Sequence, residues 1–317
     1  MIRLFIAFNI LLLAITACKN KSAGTSIEKV NSSQQTGYAP VNGLKMYYEI
    51  HGKGKPLVLI HGGGSTIQTT FGNILPLLAE HYKVIAVELQ AHGHTNDRNA
   101  RESFEQDAED VAGLLHYLKI NKADFFGFSN GGNTAMQIEI RHPELVNKLI
   151  IVSAFYKREG MVKGFFEGLE NANLGNMPNH LKEAFLKINN DSTALQRMFE
   201  KDRARMLQFK DWRDEDLSLI KAPSLIIIGD KDVVTPEHAV EMAHKIPNNE
   251  LVIMPGNHGS FIGEGMSGKQ NSKIPALTVA IIEEFLNYTN YTNYADYTNY
   301  TNYVNYTNYA PSFSSSQ

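Results

Sequence analysis

A single cysteine, Cys18, leaves the chain no partner for an intramolecular disulfide, so its fold must rest on the core alone. No uninterrupted apolar run reaches the about 20 residues of a comfortable membrane span. The nearest, residues 4–17, is broken by Asn9 and Thr16. Charge of one sign is lacking too. Against 33 Asp and Glu stand 30 Lys and Arg, net −3, and the basic residues are scattered, so no nucleic-acid partner is expected. The 11 histidines form no His-Glu-x-x-His or comparable pair at ligand spacing, and no metal is expected. Gly62-Gly63-Gly64 lacks the Lys-Ser/Thr ending of a phosphate loop, and no G-x-G-x-x-G opens a helix after the first strand. No cofactor is therefore expected. What the chain does have is length and apolar content: 317 residues, 43% hydrophobic, enough for one sizeable α/β domain or two smaller ones.

The two ends differ from the middle. Met1-Ile2-Arg3 carries one positive charge into the apolar run, which suits the central region of a signal peptide over residues 1–17. The run closes on Ile15-Thr16-Ala17-Cys18, which resembles the lipobox of bacterial lipoprotein signals. That resemblance implies cleavage before Cys18, a lipid on Cys18 and anchoring to a membrane of the bacterial cell envelope. The alternative is a plain secretory signal that contains a cysteine. Residues 18–37, rich in Ser, Asn, Lys, Gln and Thr, read as a flexible tether reaching about 25 Å. At the other end, residues 287–317 repeat Tyr-Thr-Asn with period three. Period three matches neither helix nor strand, so no tyrosine stripe can face a core. A replication-slippage expansion explains the tail more simply than a surface-binding role, and its Asn-Tyr-Thr sequons read as by-products of the repeat.

Between the ends, residues 38–286 alternate strands with helices. Apolar, turn-bounded runs at 57–60, 84–89, 125–128, 148–153, 225–228 and 251–254 read as strands buried on both faces, with a β-rich segment at 44–50 before them. Helical patterns fall at 102–118, 133–141, 236–245 and 275–286. Ser103 with Gln106 makes a capping pair, and Pro236 suits a first helical position. The alternation predicts an α/β fold: a mostly parallel central sheet with helices on both faces. It breaks once, at about 154–220, where helical patterning without strands predicts an inserted helical cap.

The chemistry is written at Phe126-Gly127-Phe128-Ser129-Asn130-Gly131-Gly132. Strand, G-x-S-x-G and helix in that order make a nucleophile elbow, where a sharp turn lifts the serine hydroxyl above the sheet. Glycines belong at 127 and 131 because a side chain at either would strike the neighbouring strand or helix. A serine hydroxyl needs a histidine to take its proton, a carboxylate to hold that histidine, and donors for the oxyanion that forms. In this topology the chain order is Ser, acid, His. Asp230 and Asp232 compete for the acid in Gly229-Asp230-Lys231-Asp232, and His258 follows the last strand as the base. The oxyanion donors expected are the backbone N–H groups of Asn130 and, in His61-Gly62-Gly63-Gly64, of Gly63.

With these parts the chain resembles the α/β-hydrolase family over roughly residues 38–286. The likeness extends to Val84-Ile85-Ala86-Val87-Glu88-Leu89 before Ala91-His92-Gly93-His94-Thr95, and to His142-Pro143-Glu144 after the elbow helix. The family's acid commonly falls three residues after such a glycine, which implies Asp232 over Asp230. The resemblance also gives His61, His92 and His94 loop-shaping roles. A serine nucleophile sets the chain apart from dehalogenases and epoxide hydrolases that use aspartate. Phe128 and Asn130 depart from the Gly-Gly-Ser-Trp-Gly elbow of proline-specific aminopeptidases. The expectation is a lipid-anchored serine hydrolase of a small carboxylic ester, acting on a small-molecule acyl substrate without a cofactor. The same triad serves equally for a C–C bond, lactone, thioester or peroxyacid, and a non-enzymatic binding module would be expected to have lost a triad member. Acyl specificity and oligomeric state are not written in these motifs.

Overall fold

The computed structural model describes residues 34–265 and 271–288. The expected signal peptide 1–17, Cys18, the tether up to residue 33 and the tail from residue 289 lie outside the described residues. Eight strands form one sheet: β1 (Gln35–Val41), β2 (Leu44–His51), β3 (Lys55–Ile60), β4 (Tyr82–Val87), β5 (Ala123–Phe128), β6 (Val146–Val152), β7 (Ser224–Lys231) and β8 (Asn249–Asn257). Their order is β1-β2-β4-β3-β5-β6-β7-β8. β2 pairs antiparallel with β1 and β4, and every other neighbouring pair is parallel. Central strands β3 and β5 are buried along most of their length, which is why they read as unbroken apolar runs.

Ten α-helices accompany them among the described residues. They are α1 (Ile67–Phe71), α2 (Leu75–Leu78), α3 (Phe104–Tyr117), α4 (Asn130–Arg141), α5 (Phe165–Glu170), α6 (Asn179–Ile188), α7 (Ser192–Leu207), α8 (Asp214–Leu217), α9 (Pro236–Lys245) and α10 (Ile274–Asn287). Two cores sandwich the sheet. One joins α3, α4 and α9 to Val58 and Ile60 of β3, and the other joins α1, α2 and α10 to Leu57 and Leu59 of the same strand. Alternate residues of one strand thus feed opposite layers. Among the described residues, no helix is long and apolar enough to cross a membrane.

Two boundaries move. β1 begins at Gln35, inside the expected tether, because its polar residues lie on an edge strand and only Ala39 and Val41 turn into the core. At the other end α10 runs to Asn287, one residue beyond the expected 286, and the Tyr288 carbonyl accepts a 2.6 Å hydrogen bond from Lys148 Nζ. The Ser103 hydroxyl caps α3 by accepting from Gln106 N at 3.1 Å, whereas the Gln106 side chain turns to Asp110 instead of completing a box. Helices α5 to α8 fill the interval between β6 and β7. Met177, Leu181, Phe185, Leu195 and Met198 form a small core of their own there. Phe155 and Tyr156 join the main core rather than the cap.

Candidate active site

The parallel strands end on one side of the sheet, and the segments that leave that side carry Gly63, Ser129, Asn130, Asp232 and His258. Ser129 follows β5 with φ 54° and ψ −122°, a conformation that side chains rarely adopt. Its own N–H is held by the Val152 carbonyl at 2.8 Å, and its carbonyl receives Gly132 N at 2.8 Å. The turn is tight enough that a Cβ on Gly127 would lie 2.0 Å from the Gly131 carbonyl oxygen. One on Gly131 would lie 2.1 Å from that of Ile60. Both glycines are therefore steric requirements of the bend.

His258 leaves the end of β8 and points its ring at the elbow. Its Nε2 lies 3.1 Å from Ser129 Oγ, and its Nδ1 lies 2.6 Å from Asp232 Oδ1. A carboxylate only accepts, so Nδ1 carries the proton and Nε2 turns its lone pair to the serine hydroxyl. Asp232 is buried. Oδ1 also receives Val233 N at 2.7 Å and Val234 N at 3.3 Å, and Oδ2 receives the Ser153 hydroxyl at 2.6 Å. Burial alone would raise its pKa. The His258 contact and the Ser153 hydroxyl outweigh burial and hold the carboxyl below its ordinary range. Asp230, the competing acid, is exposed and accepts Gly256 N at 2.6 Å, so it ties together the neighbouring ends of the parallel strands β7 and β8 instead. Ser153, at φ 53°, went unsingled in the sequence: a serine after a strand carries no sign that a carboxylate will lie across from it.

Asn130 is the first residue of α4, where the backbone N–H has no intrahelical acceptor. Gly63 sits opposite, so close that a Cβ on it would lie 2.4 Å from Asn130 Nδ2. Both residues line the cavity that opens on Ser129. His61 is buried, with Nδ1 donating to Gly62 O at 2.7 Å and Nε2 accepting Leu89 N at 3.1 Å, a brace between two loops. Burial and the nearby His92 charge push its pKa down to about 3, so it stays neutral. His94 bonds Glu88 at 2.9 Å and stacks on Tyr47, away from the serine. Neither touches the serine. His92 differs from them, because it meets Asp202 of the cap helix α7 at 2.9 Å.

The cavity above Ser129 encloses about 300 Å³ between the elbow and the cap. Phe165, Leu169, Met177, Leu181, Met198 and Met206 give it apolar walls, and Asp202 is its carboxylate. Asp202 receives Gly64 N at 2.5 Å and pairs with Arg205 one turn along. Nothing in the local sequence marks it, since Gly64 and His92 lie over a hundred positions away. Among the described residues, no group of three or more His, Asp or Glu side chains is arranged to hold a metal ion.

Comparison with known proteins agrees with this architecture. Residues 55–181 match the alpha/beta hydrolase fold family. Human serine hydrolase BPHL is 30% identical over 233 residues, spanning 69% of this chain and 78% of that protein. The chain belongs to the α/β-hydrolase fold family, and it is a hydrolase of that fold. A meta-cleavage product hydrolase from Pseudomonas fluorescens IP01 superposes with a TM-score of 0.64 at 21% identity, covering 79% of this chain and 97% of that one. Naproxen esterase from Bacillus subtilis superposes at 0.61 with 20% identity, covering 81% and 93%. At such identities these two likenesses speak for the fold.

Proposed function

We propose that this hydrolase cleaves a small carboxylic ester through an acyl-enzyme. The observation that carries the reading is the unbroken relay from Ser129 Oγ to His258 Nε2 at 3.1 Å and from His258 Nδ1 to Asp232 at 2.6 Å. Ser129 attacks the acyl carbonyl while His258 takes its proton, and the charged Asp232 stabilises the imidazolium that results. The N–H groups of Gly63 and Asn130 receive the oxyanion. His258 returns the proton to the departing alcohol, and water, deprotonated by the same ring, releases the acid. The apolar cavity suits an uncharged acyl or alkyl group of modest size.

Turnover of p-nitrophenyl acetate and labelling by a fluorophosphonate test this reading. Both are expected in the wild type and lost in Ser129→Ala, with turnover reduced by about 10³-fold or more. Turnover that survives Ser129→Ala would sink the mechanism.

A further inference from the structure

Gly64 stands at φ +66° in the loop that carries Gly63, and its N–H has two acceptors within reach: Asp202 Oδ2 at 2.5 Å and His92 Nε2 at 3.2 Å. These two are not independent. His92 Nδ1 lies 2.8 Å from the Gln90 carbonyl oxygen, which only accepts, so Nδ1 must bear a proton. Nε2 then has two choices. Protonated, it donates to Asp202 Oδ2 at 2.9 Å and leaves the Gly64 N–H to the carboxylate. Bare, it can itself accept the Gly64 N–H, at the poorer distance. Asp202 belongs to α7, so the better acceptor is supplied by the cap. The same carboxylate reaches Asn130 Nδ2 at 3.4 Å, so one cap side chain touches both Asn130 and the residue after Gly63.

We propose that Asp202 and His92 are positioning residues: the cap carboxylate, braced by His92, fixes the Gly64 N–H and thereby aims the Gly63 N–H at the oxyanion. The inference rests on the ester-hydrolase reading, in which Gly63 is a donor. A carboxylate so near an oxyanion would oppose it if left bare. Here His92 and Arg205 flank it, Arg205 being shared with Asp107, and these contacts draw the carboxylate's charge away from the oxyanion.

The arrangement depends on the His92 proton. Burial alone would lower the imidazole's pKa, but the Asp202 carboxylate overrides it and holds it at about 9. The other charged groups facing the ring are Arg205 of α7 and Glu102 beside the start of α3, with Asp107 of α3 and the neutral His61 ring behind. Burial raises Glu102 to about 7 and Asp107 to about 6, so both titrate below His92.

The experiment is kcat and KM for p-nitrophenyl acetate from neutral to alkaline pH in wild type, Asp202→Ala and Asp202→Asn. Wild-type kcat is expected to fall as pH passes about 9. Asp202→Ala should lose about 10²-fold in kcat with KM within about threefold, the scale of one misplaced oxyanion donor. Asp202→Asn keeps an acceptor for Gly64, so it should recover most of kcat while losing the alkaline limb. A limb unchanged in Asp202→Asn, or wild-type kcat in Asp202→Ala, overturns the proposal. A merely structural latch would lower the melting temperature and leave the limb in place. Should Asp202→Ala fail to fold, the Asp202→Asn profile decides alone. A wild type inert to p-nitrophenyl acetate would refute the ester reading instead. The fluorophosphonate labelling rate of Ser129 would then carry the same comparison, because the phosphonyl oxygen draws on the same donors.

Discussion

Asp232→Asn isolates charge from geometry in the proposed relay, because the surroundings of Asp232 dictate how an amide must lie. Three donors converge on Oδ1: His258 Nδ1, Val233 N and Val234 N. An amide NH₂ in that place would face all three, so the amide oxygen must take it. The NH₂ then occupies the Oδ2 position, where the Ser153 hydroxyl at 2.6 Å can turn from donor to acceptor. Only the weak 3.5 Å approach of Gly229 N is lost. His258 therefore keeps its proton on Nδ1 and its lone pair toward Ser129, and the variant loses the negative charge alone. Opposite charges about 4 Å apart at an effective dielectric near 20 attract by about 4 kcal/mol, which corresponds to roughly 10³-fold in kcat. A reversed tautomer would cost more, about 10⁴-fold. Steady-state kcat for p-nitrophenyl acetate measures the loss, and nitrogen NMR of the His258 ring reports which nitrogen is protonated. A kcat within tenfold of wild type would refute the electrostatic role of Asp232. A proton found on Nε2 would refute the orientation argued for the amide.

Two further outcomes follow from the same contacts. Ser153→Ala removes a charge-assisted hydrogen bond worth about 1.5–3 kcal/mol, and burial then lifts the Asp232 pKa. The folded pKa of Asp232 is depressed, so its stabilisation is present above the unfolded value and lost as pH falls through the folded one. Ser153→Ala moves that loss upward, and acid unfolding followed by circular dichroism should have its midpoint at higher pH than wild type; an unmoved midpoint counts against the contact. At the N-terminus, lipidation at Cys18 predicts that the protein expressed in a bacterial host incorporates radiolabelled palmitate and that Cys18→Ser does not; equal labelling would discard the lipobox reading.

How much could be read in advance tracks how local the physics is. The elbow was legible because a strand, a bend that only glycine permits and a helix are consecutive, so Gly127, Ser129 and Gly131 state their geometry in five residues. Strands β3, β5, β6 and β7 were legible because burial on both faces leaves unbroken apolar runs. β1 was not, since an edge strand shows the core only Ala39 and Val41, and the short α1 and α2 repeat too few turns to display a period. Candidate chemistry could be set in order along the chain as Ser129, Asp232 and His258, but only the folded sheet brings their loops to one edge. There Asp230 turns to Gly256 N, Asp232 turns to His258, and Ser153 comes up behind the carboxylate. The link from His92 to Asp202 lies deepest in tertiary structure. It joins a core loop to a cap helix 110 positions along the chain, and no short-range pattern records a hydrogen bond of that span. Propensity and periodicity act between neighbours and wrote the elements into the sequence; the partners of a buried charge are chosen by packing, which only the assembled fold decides.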